Sequence, residues 1–243
     1  MTTDELIANA CPRIRDLGWA FYFDAATLAR GEELGLDAVT FYMLGRGGVL
    51  GDCEGAVVAS AFGYFNPELV TALWDAGRAK LAPRQAGREY MACCQEFGRT
   101  KLTGLEGLGP YCDAAAAVVA AAEVPALSLF AAIAAEPLAD DLPARAMQLT
   151  TVLRELRGSA HLVAVVASGL PASMAHAIQR PNDWGMFGWP GEAPTPTDDQ
   201  RAALAAAEAL TDTLVRPAYG VLDGAGADAL VAGLDAIEPA ITG

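Results

Sequence analysis

The stretch Leu153-Arg154-Glu155-Leu156-Arg157-Gly158-Ser159-Ala160-His161-Leu162 decides how this chain is read. Apolar residues lead into it from Met147, and beyond it the run Leu162–Ala167 is solidly apolar. Two arginines, a glutamate and one of only two histidines therefore ride on what is otherwise a core helix. Asp140, Asp141 and Pro143 mark its start, and Gly169-Leu170-Pro171 mark its end. Gly158 offers a place for a kink just before His161. A histidine so placed is either a satisfied core residue or the polar contact of a pocket.

Helical periodicity spreads outward from this segment in both directions. Leu6, Ala10, Ile14 and Leu17 fall on one face of a first helix closed by Gly18. The aromatic run Trp19–Phe23 could pass for a strand. Asp24 caps Ala25–Leu34, and Asp37 caps a third helix through Leu44. Gly45-Arg46-Gly47-Gly48-Val49-Leu50-Gly51-Asp52 reads as a loop in which glycines let the backbone approach something closely. Its spacing meets a phosphate-binding pattern only in part. Asn66 before Pro67 predicts an N-cap for a helix over Glu68–Leu81. Further helices are predicted from Pro83 to about Lys101, over Tyr111–Glu123, Pro125–Ala135, Ala172–Gln179 and Gln200–Val215, and from Asp228 to Ala240. Residues 181–196, with Trp184, Phe187 and Trp189 among prolines and glycines, form the one long irregular stretch: a lid, an interface, or a segment packed back on the helices.

The expected fold is all-α, a multi-helix bundle, divided into an N-terminal helical part over 1–138 and a C-terminal part over 139–243 that can pack with it as one unit. Hydrophobic residues make up 53% of the 243, much of it alanine, which favours closely packed helices. The formal net charge is −14, and after Arg145 five arginines face eleven acids. Such a field repels nucleic acid and anionic membranes. Five cysteines without a CxxC pair signal neither a disulfide framework nor a zinc site. Two histidines fifteen residues apart make no metal set. No signal pattern or membrane span is evident, so a cytoplasmic location is expected.

Gly45-Arg46 with Leu50-Gly51, Phe62-Gly63-Tyr64-Phe65-Asn66-Pro67, Leu153–Gly158 with His161, and Thr211-Asp212-Thr213-Leu214 occur in an order that resembles the actinobacterial SalK-like helix-turn-helix, or winged-helix, family. The resemblance covers nearly the whole chain. It implies a helical N-terminal portion followed by a winged-helix-like C-terminal portion. In the family a Trp-rich helix and a Gly-bearing wing precede the Thr-Asp-x-Leu helix. Here that interval is the short loop 181–196, so the winged-helix-like part is expected to be degenerate. No basic amphipathic helix is left to enter a major groove, and DNA binding is expected to be lost.

Arg157 and His161 lie four apart and share a helix face. Should that face meet Arg46, Phe62, Tyr64 and Asn66, one cavity would hold guanidinium, imidazole, phenol and amide groups. That set suits a small anionic or carbonyl-bearing organic molecule. The alternatives are an enzyme on such a molecule with His161 as acid/base, a ligand-responsive transcriptional regulator, and plain scaffolding in which Arg154 and Arg157 pair with Glu155 or other acids. No cofactor is indicated. The Trp184–Trp189 loop and alanine-rich helices make a homodimer the expected assembly.

Overall fold

Residues Leu142–Ala167 form a single helix, α9, and everything else is arranged around it. Fifteen of its 26 residues are buried, on all sides of the helix axis, which is the signature of a helix enclosed by others rather than laid on a surface. The computed structural model describes residues Met1–Gly243 and contains no strand. In chain order the remaining helices are α1 (Thr3–Leu17), α2 (Ala25–Glu33), α3 (Ala38–Gly47), α4 (Gly55–Phe62), α5 (Pro67–Arg78), α6 (Pro83–Leu102), α7 (Leu108–Ala121), α8 (Ser128–Ala134), α10 (Ala172–Gln179), α11 (Asp198–Tyr219) and α12 (Gly224–Thr242). Helices α1, α6, α7, α8 and α11 pack directly on α9. A cluster of 48 buried residues runs from Leu6 to Ile237 and draws on both sides of position 138. A second, small cluster joins Ala164 and Val165 to Ala175, Leu204 and Ala207 at the far end of α9. No single helix is long and apolar enough to cross a membrane.

Enclosing α9 requires its polar residues to be satisfied internally, and those in its first half are. Gln148 donates to the Pro137 carbonyl and accepts from Gln95 and from the Ala139 amide. Thr150 and Thr151 donate to the carbonyls one turn back. Capping follows the sequence closely. Asp141 accepts from the Ala144 amide at the start of α9, and Asp24, Asp37 and Asn66 cap α2, α3 and α5. Thr2 and Thr197 each close a capping box.

Three local expectations are corrected. Trp19–Phe23 is a series of turns, not a strand: its rings pack against Tyr42 and Tyr90 from neighbouring helices rather than alternating across a sheet. The glycine segment is no open loop, because Gly45–Gly47 complete α3 and Gly48–Leu50 add one 3₁₀ turn. The backbone does come close to something there, but that something is α6. A Cβ on Gly45 would lie 2.6 Å from the Tyr90 ring, and one on Gly48 would overlap the Pro83 carbonyl oxygen. Gly158 does not interrupt α9, since packing on several sides outweighs one weak helix former.

Residues 168–171, with Gly169 at φ +68°, turn the chain by 114° between α9 and α10. Two helices meeting at such an angle across a short glycine-bearing turn have the geometry of a helix-turn-helix corner. With no strand present, nothing corresponds to a wing. Within residues 181–196, the segment 187–189 is packed back on the bundle. Asn66 donates to the Gly188 carbonyl, and the Trp189 indole donates to that of Tyr64.

Candidate functional site

Beneath the α9–α10 corner lies a half-open cavity of about 460 Å3. Helix α9 supplies its floor with Arg154, Glu155, Arg157 and His161. Arg46 comes from α3 and Phe62 from α4, with Tyr64 in the turn after it. His176 comes from α10 and Glu208 from α11. Five of the six residues singled out from the sequence, Arg46, Phe62, Tyr64, Arg157 and His161, therefore line one space. Asn66 does not. Its carbonyl caps α5 and its amide holds the 181–191 segment, so it supports the rim without facing the cavity.

At one end of the cavity sits a buried ion cluster. Glu155 is 1% exposed and receives Arg46 as a two-pronged fork, at 2.9 Å from Nε and 2.8 Å from Nη2. Arg154 donates to the same carboxylate at 2.7 Å and the Tyr22 hydroxyl at 2.9 Å. Arg46 also lies over the Phe62 ring at 4.3 Å. Burial by itself pushes a carboxyl up, but the charges and hydrogen bonds of the two arginines outweigh it and hold Glu155 at about 2. Two cations share one anion, so the cluster keeps one positive charge in excess.

The other end is built around His161. The Thr211 hydroxyl lies 2.7 Å from the Ala207 carbonyl oxygen and 2.9 Å from His161 Nδ1, with one hydrogen to share between them. The other ring nitrogen, Nε2, faces Glu208 Oε1 at 3.5 Å. Burial pushes the imidazole below its ordinary pKa, against a weaker upward pull from Glu208. Arg157 donates to Glu208 at 2.8 Å and lies 3.5 Å from Asp212. The Tyr64 ring stacks on the imidazole with centroids 6.2 Å apart. Phe187 closes the third side, sandwiched between Phe65 and His176 at 4.0 Å from each.

Six buried side-chain nitrogen and oxygen atoms in the chain have no hydrogen-bond partner: Tyr64 Oη, Arg154 Nε, Arg157 Nε, His161 Nε2, His176 Nε2 and Tyr219 Oη. All but the last belong to residues of this one cavity. The lining also holds five arginines (15, 46, 154, 157 and 180) against two glutamates; Arg15, Arg157 and Arg180 have Asp16, Asp212 and Asp183 beside them, so the unshared positive charge is that of the Arg46–Arg154–Glu155 cluster. Glu208, Thr211, His176 and Phe187 went unnoticed as site residues in the sequence. Thr211 lay in a recognised motif, Phe187 in the aromatic stretch 181–196 and His176 is one of two histidines, but nothing local marks Glu208.

Fold and site together define an all-helical protein with a polar, arginine-lined pocket at a helix-turn-helix corner. The chain belongs to a helix-turn-helix family: residues 8–187, about three-quarters of its length, match that family's model. The matched span includes every lining residue except Glu208. No curated protein and no solved structure matches the chain.

Proposed function

We propose that this protein binds a small organic anion in the cavity beneath the α9–α10 corner. One observation carries the reading: five of the six unpartnered buried polar atoms cluster around one arginine-rich space. An unpaired buried polar group costs about 1–3 kcal/mol, and a polar ligand is a physical reason for collecting several in one place. The one unshared positive charge of the Arg46–Arg154–Glu155 cluster selects an anion. None of the five atoms is reached by solvent as the side chains stand, so entry moves a wall. Glu208, whose side chain on α11 is 37% exposed, is the one placed to give.

Native mass spectrometry of the freshly purified full chain is expected to reveal a co-purifying organic anion. Calorimetry then measures its affinity. Arg157→Ala should weaken it at least tenfold, since a charged hydrogen bond is worth about 1.5–3 kcal/mol, with affinities compared under conditions where both proteins are folded. Equal affinity of both proteins would refute the site.

The same geometry argues against reading DNA. Helix α10, the second helix of the corner, runs Ala-Ser-Met-Ala-His-Ala-Ile-Gln without a cation. Its His176 and Gln179 face the pocket, and Gln179 is bonded to Glu208. A mobility-shift assay at low salt should give no discrete complex at submicromolar protein; a sequence-specific one would overturn this part of the reading.

A further inference from the structure

Resting on that reading, we infer that the ligand is a monocarboxylic acid with an apolar body, its carboxylate forked by the unused edge of Arg154. A guanidinium holds a carboxylate through two parallel donors, and Nε with Nη2 form one such edge. Arg15 and Arg46 each fork a carboxylate this way, on Asp16 and Glu155. Arg154 does not. Its hydrogen bonds to Glu155 and the Tyr22 hydroxyl both leave from Nη1, at 2.7 and 3.2 Å. Its Nε is buried without a partner, and the residue lines the cavity. An arginine Nε carries a hydrogen at every accessible pH, so what is missing there is an acceptor. The one acid that Arg154 meets, Glu155, is already taken by the fork of Arg46.

Charge fixes the number of acidic groups. Glu155 serves two guanidinium groups, and a single carboxylate cancels the one positive charge left over. A phosphate monoester carries close to two negative charges at neutral pH. Its second charge would stand uncancelled beside Glu155, which is 1% exposed. Arg157 supplies no further cation, since Glu208 and Asp212 take up its charge. Its unpartnered Nε adds a donor about one turn along the same face of α9. The body follows from the walls. Aromatic residues are 7% of the chain but five of the nineteen that line the cavity: Tyr42, Phe62, Tyr64, Phe65 and Phe187. Such walls receive apolar carbon and leave the hydroxyls of a sugar acid without partners.

Four compounds test this on the full chain by calorimetry at neutral pH: 3-phenylpropanoate, 3-phenylpropanamide, 2-phenylethyl phosphate and gluconate. The first is expected to bind about tenfold or more tightly than each of the others. The phosphate binding as tightly overturns the single carboxylate, and gluconate binding as tightly overturns the apolar body; either result sinks the inference and leaves the anion pocket standing. The amide binding as tightly, or none of the four binding at millimolar concentration, removes the pocket reading and this inference with it. Arg154→Lys then separates fork from charge, because lysine keeps the cation and gives up the paired donors. It should weaken 3-phenylpropanoate by about tenfold. Unchanged affinity would overturn Arg154 as the seat. Should that variant fail to fold, the four compounds on the unaltered chain decide the matter.

Discussion

Glu155→Gln is expected to lower the free energy of unfolding by about 3–5 kcal/mol at neutral pH. The substitution changes almost nothing in shape. It removes the only anion among Arg46, Arg154, Tyr22 and Tyr42, leaving two guanidinium groups in a site where Arg46 is 12% and Arg154 23% exposed. Breaking a buried pair from one side is far costlier than replacing both partners, because the remaining charge loses its solvation and gains nothing. Chemical denaturation of both proteins provides the measurement. A loss under 1 kcal/mol would mean that water reaches the cluster and would remove Glu155 as its keystone.

The pH dependence supplies an independent check on the same residue. Glu155 titrates at about 2 in the folded chain against 4.5 for the ordinary group, which corresponds to about 3 kcal/mol in favour of the fold. A carboxyl depressed in this way contributes fully above pH 4.5 and loses its contribution as pH falls towards 2. The wild-type protein should therefore lose stability more steeply than Glu155→Gln across that window. His161 and His176 act earlier and in the same direction. Burial depresses both, so the unfolded chain takes up protons first as pH falls below about 6.5.

Gly48→Ala is the second large effect, expected to destabilise by about 3 kcal/mol, the upper end for overpacking. The added methyl would overlap the Pro83 carbonyl oxygen and lie 2.8 Å from the Gly87 amide nitrogen. Both are backbone atoms at the start of α6, so no rotamer change relieves the contact. Relief requires α3 and α6 to separate, and α3 carries Arg46 into the Glu155 cluster. Gly158→Ala is the control, with the opposite sign. A Cβ there meets nothing closer than 4.0 Å, and alanine inside a helix gains about 0.5–1 kcal/mol over glycine. Thermal and chemical unfolding of the two variants should diverge. Equal effects would show that the α3–α6 approach is not tight.

Helix positions were legible in the sequence because they are set locally. Asp24, Asp37, Asn66 and Asp141 announce helix starts through their own side chains, and the apolar spacing carries through each element. The central place of α9 was legible for the same reason: a helix with few polar faces has to be surrounded. Five of the six residues singled out fall in one cavity because polar groups in an apolar chain are few. The glycine segment misled, because glycine allows close approach without saying to what, and a neighbouring helix backbone is as good a reason as a ligand.

Partnership was decided only by the tertiary structure. That Arg46 is taken up by a carboxylate 109 positions away depends on α3 and α9 meeting, and no local pattern encodes it. Glu208 reaches the site because α11 lies along α9, and the same packing brings Thr211 within 2.9 Å of His161 Nδ1. Asn66 shows the converse: its type and place suggested a pocket, yet its hydrogen bonds were spent on a helix start and a strap. Sequence alone determined which residues could be buried, since burial follows from hydrophobicity and spacing. Which polar groups would be left without partners was determined by the packing of distant helices, because a hydrogen bond needs both of its atoms in place.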